Sequence, residues 1–81
     1  MDFLPPLSVA AQSFKPGNYR HCKGGMYQAL AVARHSEDSN EEFVVYRHLN
    51  DGSMFVRPLG IFLESVEVDG RTRPRFERVG E

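Results

Sequence analysis

Turn signals interrupt this chain so often that only short extended segments fit between them. Lys23-Gly24-Gly25-Met26, residues 36–40 (Ser-Glu-Asp-Ser-Asn), Asn50-Asp51-Gly52-Ser53 and Asp69-Gly70 each break the apolar pattern. Glycine supplies the positive φ of a tight hairpin turn, so Gly24-Gly25 predicts a primed turn between two strands. Strands are expected over residues 18–22, 27–35, 43–49, 54–57 and 66–68, with a last extended piece starting at Pro74-Arg75-Phe76. Residues 27–35 are contested, because alanines at 29, 31 and 33 favour a helix. The glycine turn before them and the β-rich run Phe43-Val44-Val45-Tyr46 after them favour a strand. Pro58 to Leu63 reads as one helical turn with proline at its first position. Short strands separated by turns describe an all-β or mainly β domain. The expected form is a small SH3- or Tudor-like barrel, or a strongly bent antiparallel sheet, with one short helical turn.

The chain has 81 residues, which allows one compact domain. A domain of this size buries only about 60% of its unfolded surface, so each bulky side chain matters. There is no Trp; six Phe and three Tyr supply the bulk. Phe55, Phe62 and Phe76 are expected in the core, with Phe43 or Val45 filling one face of their strand and Val44 or Tyr46 the other. Residues 1–16 differ from the rest. Pro5, Pro6 and Pro16 bracket Ser8 to Ser13, which is long enough only for a helical turn or two. This segment is expected to be an N-terminal arm, either disordered or packed through Phe3, Leu4, Leu7 and Phe14. Residues 17–81 form the single small β-domain.

The net charge of −1 argues against bulk attraction to nucleic acid. Its distribution is uneven: Phe3 to Ser36 contains basic residues and no acid, and Glu37, Asp38, Glu41 and Glu42 then cluster at one turn. Cys22 is the one cysteine, so no disulfide forms within the chain. Pro5-Pro6 interrupts the first apolar residues before a signal-like helix can form, and no run of about 20 apolar residues occurs. No membrane association is expected, and a reducing cytoplasm is the expected compartment.

Arg-His recurs as Arg20-His21, Arg34-His35 and Arg47-His48, each in a different expected strand. Neighbours on a strand point to opposite faces, so arginines can gather on one face and imidazoles on another. His21, His35, His48 and Cys22 lack the short spacings of a zinc site, and a one-residue change of register sends His35 away from His21. No metal and no cofactor are expected. Cys22 beside His21 superficially suggests a nucleophile, but a lone small cysteine is more often a packing residue, and no paired carboxylate or oxyanion-hole glycine accompanies it. No catalytic residue is assigned.

The candidate ligand-binding set is Arg20, His21, Tyr27, Arg34, His35, Tyr46, Arg47 and Arg57. A guanidinium partly buried in a small sheet needs a partner, so Arg34 or Arg47 is expected to contact a carboxylate, Glu37 first among them. Tyrosine faces stack on bases or cations, and arginine grips phosphate or carboxylate.

Several separated motifs together resemble a known family. These are Gly17-Asn-Tyr-Arg-His-Cys-Lys-Gly24 with Tyr27, Ala33-Arg-His-Ser-Glu37, Val44-Val-Tyr-Arg47, Val56-Arg-Pro58 with Phe62, and Pro74-Arg-Phe76. Their order and spacing resemble the short bacterial proteins grouped as domain of unknown function 1653, over about Gly17 to Val79. Phe55 stands where that pattern often has Trp, and Ala29 where a larger aliphatic residue is usual. The resemblance implies a bacterial origin and a compact β-rich fold, and it carries no mechanism. The expected role is non-enzymatic recognition of a protein or peptide segment. The alternative is binding of a nucleic acid or nucleotide through Arg and Tyr, which the net charge does not favour. The third is an accessory or hydrolytic role for histidine.

Overall fold

The computed structural model describes residues 4–80. Helix α1 (Val9–Ser13) precedes strands β1 (Gly17–His21), β2 (Met26–Arg34), β3 (Glu42–His48) and β4 (Met54–Pro58). Helix α2 (Leu59–Phe62) follows, then β5 (Ser65–Val68), β6 (Arg71–Pro74) and β7 (Phe76–Arg78). An antiparallel sheet has the order β4-β3-β2-β1-β7, and β5 and β6 form a separate two-stranded ribbon. The mainly β expectation holds, in its bent-sheet form. The barrel alternative fails because β4 and β7 end the sheet as edges and do not pair with each other.

Turn chemistry explains the connections. Between β1 and β2, the His21 amide donates to the Gly25 carbonyl and the Gly24 amide donates to the His21 carbonyl. The loop is therefore three residues, Cys22 to Gly24, longer than the two-residue primed turn expected. Gly24 has φ 96° and Gly25 φ 86°, which is why both positions need glycine. The two-residue turn appears instead between β5 and β6, where Asp69 and Gly70 both have positive φ. Residues 27–35 are strand: β2 and β3 pair as the predicted hairpin, with the turn at residues 36–40 almost wholly exposed.

A bulge at Leu30 shapes the sheet. Ala29 pairs with Tyr46 and Ala31 pairs with Val45, so Leu30 is an extra residue on β2. Such an insertion bends the strand and exchanges its faces. Before it, Tyr27 and Ala29 point inward; after it, Val32 and Arg34 do. Opposite them, β3 contributes His48, Tyr46, Val44 and Glu42 to the same inner face.

The buried cluster on that face contains Ala11, Tyr19, Ala29, Val44, Tyr46, Leu59, Phe62 and Phe76. Phe62 stacks on Phe76 at 4.1 Å between ring centroids and meets Phe14, Tyr19 and Tyr46 edge-on. The helical turn expected at Pro58 is present, with Pro58 capping α2 rather than opening it. Leu7 and Phe14 pack against the cluster, while Leu4 is exposed and Phe3 lies outside the described residues. Ala29 is buried to 1% exposure. Although a larger aliphatic residue is usual at this position in the family pattern, Ala29 lies within the buried cluster.

Candidate functional site

Beyond the buried cluster, side chains of the inner face become half-buried or exposed and leave an opening. Four side chains define the opening: Tyr27 on β2, His48 on β3, and Phe55 and Arg57 on β4. Alternation places all four inward, because Tyr27 pairs with His48, Tyr46 with Phe55 and Val44 with Arg57. Tyr27 is the hub. Its ring meets His48 at 4.9 Å, Tyr46 at 5.5 Å, Phe76 at 5.6 Å, and His21 and Phe55 at 6.3 Å. These are mostly edge-to-face contacts, the arrangement that aromatic quadrupoles favour. Phe55 remains 44% exposed, contrary to the expectation of a core residue. The reason is its edge strand: Tyr46 stacks on it from the β3 side at 5.6 Å, and among the described residues no strand lies on the other side.

Arg57 lies over the Phe76 ring, 5.4 Å from its centroid. Among the described residues it forms no ion pair and no side-chain hydrogen bond. Glu64 is engaged by Arg75 at 2.8 Å, and that arginine's Nε is buried without a partner. His21 touches Phe76 at 4.9 Å. Burial first, and then the charges of Arg57, Arg75 and Lys23, hold its imidazole below the usual histidine range. The Lys23 amide donates to its Nδ1 at 3.1 Å, so the neutral ring carries its proton on Nε2. His48 Nδ1 lies 3.3 Å from the Asp51 carboxylate.

The sequence candidates divide between the two faces. His21, Tyr27, Tyr46 and Arg57 come together on the inner face, although Tyr46 is only 3% exposed and serves as a wall. Arg34 shares that face but sits at its far end, where its Nη1 donates to the Ser39 carbonyl at 3.2 Å. Arg20 and Arg47 point outward. Arg47 holds the Gln28 Oε1 through Nε and Nη2 at 3.0 and 2.7 Å. Neither Arg34 nor Arg47 pairs with a carboxylate among the described residues, so that expectation fails. An amide and a backbone carbonyl meet the same need for an acceptor.

His35 lies against Phe43 on the outer side, at 6.0 Å. His21 and Tyr27 share a face by register, and the bulge at Leu30 then sends His35 away. Among the described residues no three His, Cys, Asp or Glu side chains form a group able to hold a metal ion. Missed from the sequence were His48, as part of the opening, and Phe55, as a surface residue. The signal for both was their inward phase beside a strand with no further neighbour.

Two cavities are also present. One, about 320 Å³, is lined by Arg20, His21, Cys22, Arg73 and Glu77 beside the β1–β2 loop, so the candidates Arg20 and His21 both border it. The other, about 360 Å³, lies at the opposite end of the sheet between Ser8, Phe43, Pro58 and Leu63. There Ser8 already binds both oxygens of Glu42, which lowers that carboxyl below its ordinary range. No helix among the described residues is long and apolar enough to cross a membrane.

Comparison with curated proteins finds no match. Among solved structures, the chain is similar to a protein from Bordetella bronchiseptica described as belonging to DUF1653. The identity is 42%, the match covers 86% of this chain and 92% of that one, and the TM-score is 0.78. The family model described as "Protein of unknown function (DUF1653)" matches residues 17–78. On these two grounds the chain belongs to the DUF1653 family.

Proposed function

We propose that this domain is a non-enzymatic recognition module that binds an extended protein segment along the free edge of β4. The observation that carries this is the state of that edge. Met54, Phe55 and Val56 are 54%, 44% and 63% exposed in succession. The His48 amide donates to the Ser53 carbonyl, which sets the phase of the β3–β4 ladder. In that phase Phe55 and Arg57 turn their backbone groups toward β3, and Met54 and Val56 turn theirs outward. An added strand would take up these groups, as in other sheet-edge complexes. Its alternate side chains would reach the aromatic opening at Phe55, Tyr27 and His48.

Binding of a nucleic acid or nucleotide is the competing reading. It requires tyrosine faces beside arginines. Tyr19 and Tyr46 are 7% and 3% exposed, Arg20 and Arg47 lie on the face opposite Tyr27, and Arg57 is the arginine left beside it. Amide chemical shifts during titration with a library of apolar nine-residue peptides test the proposal. Shifts concentrated on residues 54–58 and tolerant of added salt are expected. Absence of shifts there, with oligonucleotide binding that falls steeply with salt, would transfer the assignment to nucleic acid.

A further inference from the structure

Arg57 is half-buried, seated on an aromatic ring, and without an anionic partner among the described residues. Glu64, the acid that follows α2, is engaged by Arg75. Two further cations, Arg75 and Lys23, act together with Arg57 on the neighbouring His21. A guanidinium in this position is desolvated enough to gain from a carboxylate and is held in place by the ring beneath it. Arg57 also lies two residues from Phe55 on the same face of the edge strand.

We propose that the protein segment bound at β4 carries an acidic side chain for Arg57, two positions from an apolar side chain that covers Phe55. This rests on the reading of the β4 edge as a binding edge. The spacing follows from the sheet. Because Phe55 and Arg57 direct their backbone groups to β3, an antiparallel added strand faces them at non-hydrogen-bonded positions. Opposed Cα atoms there are about 4.5 Å apart and side chains are in their closest contact. Residues of the added strand that share this face are two apart, whichever way the strand runs. The Arg57 guanidinium stands over the Phe76 ring on the inner face, the face onto which a side chain of the added strand opposite Arg57 also projects. A terminal carboxylate stays in the plane of the sheet and does not. The partner is therefore defined by charge complementarity: an internal Asp or Glu paired at a spacing of two with Leu, Phe or a similar residue.

The test uses C-terminally amidated nine-residue peptides with one central Leu and Glu, Gln or Lys placed two residues before or after it. A further set ends at that position with a free carboxylate and no internal acid. Binding to the full chain is followed by fluorescence anisotropy and by the amide shifts of residues 54–58. The internal Glu peptides should bind roughly tenfold tighter than their Gln counterparts, with Lys weaker still. Arg57→Gln should abolish the Glu preference while leaving the shifts at residues 54–56, and Arg57→Lys should keep part of it. The Glu-to-Gln comparison on the unaltered protein stands even where a variant folds poorly. Equal binding of Glu and Gln peptides, a preference that survives Arg57→Gln, or tighter binding by the free terminus would each overturn the acidic-side-chain inference alone. If no peptide shifts residues 54–58, the β4 reading itself falls and this inference falls with it.

Discussion

Tyr27 and His48 are direct partners across β2 and β3, and their rings meet edge-to-face at 4.9 Å. This pairing exists because both precede the Leu30 bulge in the run of the hairpin from its open end. Beyond the bulge the parity of β2 changes while that of β3 does not. The inner face thus carries odd-numbered β2 residues at the aromatic end and even-numbered ones, Val32 and Arg34, at the other.

Deleting Leu30 should therefore do far more damage than replacing it. A regular register would turn either Tyr27 and Ala29 or Val32 and Arg34 to the wrong face. We expect a loss of more than about 4 kcal/mol, close to the whole stability of so small a domain. Leu30→Ser, which keeps the extra residue, should cost less than about 1 kcal/mol. Urea unfolding of the two variants measures both; equal effects would remove the bulge from the account of the fold.

Phe62 and Phe55 should separate core from surface. Phe62 is 1% exposed among four aromatic rings, and Phe62→Ala should cost about 3–5 kcal/mol. Phe55→Ala should cost less than about 1.5 kcal/mol in thermal unfolding, because its cavity opens to solvent. A Phe55→Ala midpoint as low as that of Phe62→Ala would contradict the exposed position.

The lowered pKa of His21 has a definite sign. The unfolded chain protonates this ring at about 6.5 and the folded protein only at lower pH. Stability from this residue is thus complete above the unfolded value and is lost as pH falls toward the folded one. Glu42 and Asp51, whose carboxyls are held low by Ser8 and Ser53, lose their contribution only in the more acidic carboxylate range. His21→Phe keeps a ring against Phe76 and removes the titration. Its denaturation midpoint should fall less than that of the unaltered protein just below pH 6.5, whereas parallel curves would assign the loss elsewhere.

Arg47→Lys should be nearly silent. It exchanges a two-pronged contact with Gln28 for a single one on an exposed outer face, within about 0.5 kcal/mol. Peptide binding at β4 should be unchanged. A large effect on binding, measured by the same anisotropy assay, would place the recognition surface on the outer side.

Much of the hairpin architecture was legible. Gly24-Gly25, the acidic turn before Phe43, and Asp51-Gly52 mark strand ends through local backbone chemistry, which sequence reports directly. The face of each histidine was not legible. It depends on one inserted residue, Leu30, and nothing about Leu in Ala29-Leu30-Ala31 marks it as unpaired. The arginine partners were also out of reach, since Gln28 meets Arg47 only through the register that the bulge sets. Phe55 read as core because sequence shows hydrophobicity and not whether another strand lies beyond.

An edge made of Met54, Phe55 and Val56 would ordinarily invite a second copy to pair with it edge to edge. Pro58 limits that pairing. It has no amide hydrogen to offer an incoming strand, so the ladder runs out at the end of β4. Arg57, one residue earlier, would face its own kind in the antiparallel register centred on it and repel it. The strand is thus left open for a partner while self-association is checked by two adjacent residues.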